Sequence, residues 1–204
     1  MKSLLSWPPA RALLPLLLVL LLGCLFHGNG AFFEWPTHRA LLREISVHGI
    51  LACGMTIVIV SAGIDLSVGS VLGLCAVLFA LLSMPLGWGS AAALCAVLLA
   101  GAACGAVSGL LVAFGRIQAF IVTLAMMVFA RGLAKELSGG QKISNYVVGA
   151  DGSQHLLPSP RLFRVLDSRV LGDQVAVVTL VFLACALVTH VVLAELRVGR
   201  YLYA

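Results

Sequence analysis

Long apolar runs separated by short polar breaks dominate the hydrophobic pattern of this chain. A helix needs about 20 mainly apolar residues to cross a bilayer, and this criterion predicts about six spans. The predicted fold class is therefore all-α, a polytopic transmembrane helix bundle. The predicted spans are residues 12–26, 45–62, 66–84, 89–114, 117–133 and 174–194.

The fifth predicted span, residues 117–133, is short enough to be partly re-entrant. The one long polar segment, residues 134–173, contains Pro158, Pro160 and many of the charges in the middle of the chain. This composition predicts a loop with little packed core of its own and with short helices.

The first span has an alternative interpretation as a targeting segment. Lys2 and Arg11 precede a leucine-rich core, as in a signal peptide, and the sequence LLGC that ends at Cys24 approximates a lipoprotein cleavage site. A lipoprotein does not normally continue into five more apolar spans. We therefore favour an uncleaved first helix.

Composition excludes several classes of protein. The chain is 61% hydrophobic and 10% charged, whereas about 25% of the residues of a soluble domain are charged. Most of the chain is therefore expected to lie in lipid, where the net charge of +5 reports topology and headgroup contact rather than nucleic-acid binding. The 6 cysteines lie in apolar runs without CxxC or zinc-ligand spacing, which indicates packing residues rather than a metal site or a disulfide framework.

The stretch GMTIVIVSAGIDLSVG, residues 54–69, places one carboxylate between two apolar spans. An acid at this position is costly in lipid and usually faces protein or a water-filled cavity. Gly63 permits a break in the backbone where neighbouring protein or water satisfies the freed groups. We predict Gly63, Asp65 and Ser67 as binding or translocation residues. Alternatively, Asp65 caps the third helix, with Leu66 as its first helical residue.

Small residues recur at spacing four in the third and fourth spans. Residues four apart share one face of a helix, and small side chains on that face allow a second helix to approach closely. We predict a helix-packing role for Gly69, Gly73, Gly101, Gly105 and Gly109.

Residues 137–141 spell LSGGQ, the signature of ABC-type ATPase subunits. A nucleotide-binding domain also needs an upstream GxxxxGK[ST] loop to hold the phosphates, and the sequence contains none. Catalytic signatures such as GxSxG and HExxH are absent as well. The chain is therefore predicted to be neither an ATPase nor another enzyme, and to need no cofactor.

The extended stretch GMTIVIVSAGIDLSVGSVLGL resembles the permease subunit of ribose-type sugar ABC importers. This stretch departs from the family at Ala62-Gly63, where the family has Gly-Gly. Three further stretches resemble that family and follow in the same order. They are GAVSGLLV at 105–112, RIQAFIVTL at 116–124 with RGL at 131–133, and LRVGRYLYA at 196–204.

The resemblance implies a single permease domain over residues 1–204 that carries a monosaccharide across the inner membrane by alternating access. It implies as partners a cytoplasmic ABC ATPase, a periplasmic sugar-binding protein and a second permease copy or homologue. The amino terminus would be cytoplasmic and residues 134–173 extracytoplasmic, although counting basic residues favours the reverse. The matched region corresponds to the first two-thirds of such a permease, which predicts a truncated or split chain.

Two other functions remain open from the sequence. The chain could be a non-transporting fragment or a membrane interaction protein. It could also be a secondary transporter that uses Asp65 for proton coupling. The sequence does not specify the sugar.

Overall fold

The computed structural model describes residues 8–143, 145–148, 154–156, 159–170 and 172–203. Helices account for most of these residues. They are α1 (Pro8–Leu25), α2 (Trp35–Val60), α3 (Val68–Ser83), α4 (Ser90–Ala113), α5 (Ala119–Leu137), α6 (Arg161–Asp167), α7 (Val177–Ala194) and α8 (Arg197–Leu202). A short 3₁₀ turn covers Ala31–Phe33.

Each of the predicted spans coincides with a helix, namely α1 to α5 and α7, which confirms the all-α class. By length and composition, α2, α4 and α7 are long and apolar enough to cross a membrane. The fifth helix ends at Leu137, four residues beyond the predicted end at position 133. It continues because Ala134, Lys135 and Glu136 are strong helix formers, whatever their polarity.

The long polar segment has more structure than its composition predicted. It contains the expected short helix, α6, and the pattern did not predict two antiparallel strand pairs, of which one lies within the segment and the other joins its end to the start of the next predicted span. These pairs join β1 (Tyr146–Val148) to β2 (Gln154–Leu156), and β3 (Arg169–Val170) to β4 (Val175–Ala176).

Helix α6 contributes side chains to the core between α3 and α4. Phe79 on α3 packs with Ala93 and Val97 on α4, and Leu162 on α6 packs against this buried cluster. The ring of Phe163 lies 5.2 Å from that of Phe79 in a tilted arrangement. The expectation of little packed core in the polar segment is therefore wrong for α6, whose apolar side chains cover one end of the α3–α4 pair.

The chain divides into two compact units, one up to Ile45 and one from Ser46 onward. In the first unit, the ring of Phe32 makes edge contacts with the rings of Phe33 and His38. In the second unit, α3 contacts both α4 and α5.

Helices α2 and α7 also meet within the second unit, at a buried polar contact. The hydroxyl of Ser46 donates to Oγ1 of Thr179 over 3.0 Å. These side chains are 1% and 8% exposed, so each satisfies the other where water is excluded.

Candidate functional site

The candidate site is the break between α2 and α3, and its first part is the end of α2. The N–H of Ala62 donates to the carbonyl of Ile59, and the N–H of Gly63 donates to the carbonyl of Val58, both over 3.0 Å. These two bonds form a Schellman motif, which satisfies carbonyls that would otherwise be unpaired at the helix end. The helix therefore stops at Val60 without losing backbone hydrogen bonds.

Ala62 adopts the left-handed conformation that this motif requires, with φ +56°. Glycine usually occupies that position, because an L-residue with a Cβ is strained there. Gly63 is needed for a different reason. A Cβ at Gly63 would lie 3.2 Å from the carbonyl oxygen of Val58, the same oxygen that its N–H binds.

The start of α3 is the second part of the site. Oδ1 of Asp65 accepts hydrogen bonds from the backbone N–H and from the hydroxyl of Ser67, each over 2.7 Å. The carbonyl of Ser67 accepts the N–H of Val71 over 2.9 Å, so Ser67 is the N-cap and α3 begins at Val68.

The prediction that Leu66 begins the helix is therefore wrong by two residues. Asp65 binds the N–H of the N-cap residue itself from two positions before it, whereas a capping carboxylate reaches the first turn from the N-cap position. The hydroxyl of Ser67 points back to Asp65 and makes no capping bond to the helix.

Thr123 on α5 contacts the backbone of the break between α2 and α3. Its Oγ1 lies 3.2 Å from the carbonyl oxygen of Ile64 and 2.9 Å from that of Ala119, and the side chain is 6% exposed. The one hydroxyl proton is shared between a bond within α5 and a bond to the break. Sequence reasoning did not select Thr123, although it lies in the RIQAFIVTL stretch. The sequence signal that could have identified Thr123 is a single hydroxyl among apolar residues, one turn after the start of α5.

A cavity of about 260 Å³ opens beside α3, beginning two residues after Ser67. One wall is formed by Gly69, Ser70 and Gly73 of α3. The other is formed by α5 and the turn after it, and it includes the basic residues Arg131 and Lys135. Within the part of the chain that the structure describes, no group of His, Cys, Asp and Glu side chains could hold a metal ion.

The predicted packing glycines differ in their surroundings. A Cβ at Gly101 would lie 3.4 Å from Sγ of Cys75, which reflects the contact of α4 with α3. Beyond the adjacent residues and the backbone of its own helix, no described atom lies within 4 Å of a Cβ built at the other four, Gly69, Gly73, Gly105 and Gly109. A close-packing role for those four glycines stays a prediction.

The LSGGQ stretch forms the end of α5. Gly140 N–H donates to the carbonyl of Lys135 over 2.8 Å, and Gly139 N–H donates to that of Glu136 over 3.1 Å. Both glycines have positive φ, +60° and +70° in chain order. These bonds form a second Schellman motif, so the helix terminus accounts for both glycines without a nucleotide.

Similarity searches relate the chain to membrane permeases. The ribose import permease protein of Haemophilus influenzae is 35% identical over 190 residues, covering 92% of this chain and 54% of that protein. The xylose transport system permease protein of Escherichia coli K12 is 40% identical over 122 residues, covering 55% of this chain and 31% of that protein. The fructose import permease protein of Bifidobacterium longum is 32% identical over 148 residues, covering 69% of this chain and 41% of that protein.

The chain spans about half the length of the ribose import permeases that it matches. No solved structure gives a significant match. The family model described as branched-chain amino acid transport system / permease component matches residues 37–204. The extent of that match, together with these relatives, shows that the chain belongs to this family of transport permease components.

Proposed function

We propose that this chain is a membrane-spanning permease subunit of an ABC importer, and that it carries a monosaccharide across the inner membrane. The observation that carries this proposal is the break between α2 and α3, which satisfies its own backbone groups and leaves a carboxylate in the chain between two apolar helices. The import permeases to which the chain is similar are named for ribose, xylose and fructose, which supports a monosaccharide as the solute.

In this proposal, the residues of the break have different roles in binding the solute. The side chain of Asp65 is half-buried and uses only Oδ1 for Ser67, and its Oδ2 has no hydrogen bond among the described residues. A carboxylate oxygen with free lone pairs is a strong acceptor for a sugar hydroxyl. Ser67, 4% exposed, would hold the carboxylate in place through its two bonds to Oδ1. Gly63 would form the turn between α2 and Asp65.

The proposed assembly has a separate cytoplasmic ATPase, a periplasmic sugar-binding protein and a second copy or homologue of this permease. Residues 1–204 would form one multi-pass permease domain with a cytoplasmic amino terminus and an extracytoplasmic segment at 134–173. In this orientation α8, with Arg197 and Arg200, faces the cytoplasm, as the positive-inside rule favours for a short segment next to a span.

Uptake of radiolabelled ribose tests the proposal. The chain is expressed in an Escherichia coli strain that lacks its own ribose permease and retains the ribose ATPase and binding protein. It is expressed once alone and once with the C-terminal half of the Haemophilus relative. We expect uptake above the empty-vector level in at least one arm, and its loss when ATP is depleted while the proton gradient is preserved.

Two outcomes contradict the proposal. Normal membrane insertion with no uptake of ribose, xylose or fructose in either arm favours a non-transporting fragment or a membrane interaction protein. Uptake that survives ATP depletion but stops when an uncoupler dissipates the proton gradient favours a secondary transporter.

A further inference from the structure

A second candidate site is the cavity between the first half of α3 and the last two turns of α5. Arg131 and Lys135 are four residues apart on α5, so both lie on one face of the helix and line this cavity. No carboxylate lines it. Among the described residues, neither basic side chain forms an ion pair, and Glu136 next to them does not line the cavity. The cavity therefore carries a net positive charge.

Two like charges at this spacing repel and destabilise a helix unless an anion lies between them. The cavity has room for such an anion because its α3 wall is made of small residues. A Cβ at Gly69 or Gly73 would meet no described atom within 4 Å. The hydroxyl of Ser70 adds a further polar group to that wall. Guanidinium and ammonium groups together suit a phosphate, which accepts hydrogen bonds from both.

An apolar groove adjoins the same two cations. This second groove of about 230 Å³ is lined by Met127, Val128 and Gly132 of α5, together with Arg131 and Lys135. The side chain of Val128 is 64% exposed. A ligand that contacts both sides of the basic pair would place an anionic group in the cavity and an apolar chain along α5.

The position along the chain agrees with that chemistry. Both basic residues lie in the last two turns of α5, where the apolar helix passes into the long polar segment. Long basic side chains near the ends of membrane helices reach the bilayer interface, where phospholipid headgroups lie.

We propose that the α3–α5 cavity binds the phosphate of an anionic phospholipid, with its acyl chain in the groove along α5. The helix dipole also favours Lys135 at this helix end, but a dipole contact requires neither the cavity nor Arg131. The lipid would hold α5 against α3 and would thereby support the contact of Thr123 with the carbonyl of Ile64 at the break.

Thermal unfolding of the full chain in a nonionic detergent tests the proposal. Phosphatidylglycerol at about a hundredfold above its Kd should raise the Tm by roughly 5–10 °C, and phosphatidylcholine should raise it much less. The double variant R131Q/K135Q should lose the difference between the two lipids. The matched variant R161Q/R164Q, which removes two exposed cations from α6, should keep it.

A second variant tests the cavity itself while it retains the charges of Arg131 and Lys135. Gly73→Leu fills the cavity at a position with open space and raises helix propensity, so it should fold and yet lose the response to phosphatidylglycerol. A response that survives in Gly73→Leu or in R131Q/K135Q overturns the site. An equal rise with inorganic phosphate or glycerol phosphate assigns the cavity to a free anion and overturns the lipid.

Discussion

Oδ1 of Asp65 accepts both the backbone N–H and the hydroxyl of Ser67, each over 2.7 Å. One oxygen thus orients the N-cap residue of α3, and the other oxygen has no hydrogen bond among the described residues. The contact with Ser67 uses only one of the two carboxylate oxygens, so a solute-binding role for Asp65 stays a prediction beside this structural one.

This arrangement predicts that Asp65→Asn separates stability from transport. The amide oxygen of Asn can accept both bonds from Ser67, so the Tm should change by no more than a few degrees, whereas Asp65→Ala should cost about 1–2 kcal/mol. Uptake of the sugar should fall at least tenfold in Asp65→Asn if the charge binds solute. Tm in detergent and radiolabelled uptake at equal membrane expression measure the two effects. Full uptake in Asp65→Asn would leave Asp65 a structural residue only.

Ala62→Gly should stabilise the protein. Ala62 has φ +56°, a conformation that costs an L-residue roughly 1–2 kcal/mol and glycine almost nothing. After the entropy cost of glycine, we expect a net gain of about 0.5–1 kcal/mol in the free energy of unfolding. Ala52→Gly, in the regular part of the same helix, is the control and should cost about 1 kcal/mol. Equal losses in both variants would mean that position 62 is not left-handed.

Thr123→Val should loosen the break without leaving a cavity, because valine has nearly the same shape. It removes the hydroxyl that lies 3.2 Å from the Ile64 carbonyl, and we expect a loss of about 0.5–1.5 kcal/mol. Thr56→Val is the matched control, since Thr56 bonds only the carbonyl of Ala52 in its own helix. Hydrogen exchange of the amides at 62–67 should accelerate in Thr123→Val alone. Unchanged exchange there would contradict the anchoring role.

The bond between Ser46 and Thr179 should appear as coupling in a double-mutant cycle. Ser46→Ala and Thr179→Val should each cost about 1–2 kcal/mol, because each removes the buried hydrogen bond between the two hydroxyls. The double variant should cost less than the sum by about 1 kcal/mol. Ser46 and Thr56 lie about 15 Å apart on one helix, so Ser46→Ala with Thr56→Val should be additive. Additivity for both pairs would mean that α2 and α7 are not joined at this point.

Hydrophobic pattern alone located the helices because the cost of an unsatisfied backbone in lipid leaves long apolar segments few alternatives to a helix. The hydrophobic pattern was less accurate in predicting the residues at which helices begin and end. The fifth helix continued through Lys135 because helix propensity does not follow polarity. Helix α3 began at Val68 because a side chain two residues before the N-cap formed the local turn. The four motif stretches identified the family, whereas a separate stretch, LSGGQ, resembled an ATPase signature although its glycines end α5.

Some relationships depend on residues far apart in the chain, and no pattern reveals them. The Thr123 contact with Ile64 and the pairing of Ser46 with Thr179 exist only because α5 lies along α3 and α7 meets α2. The cavity is of the same kind, since it brings Gly69 and Gly73 of α3 opposite Arg131 and Lys135 of α5.

The sequence by itself determined the membrane class, the positions of the helices and the family, because these depend on local composition and on the order of short motifs. The tertiary structure decided which hydroxyl contacts the break and where two like charges share a cavity. Those features require a particular packing of helices, and that packing is set by side chains separated by tens of residues.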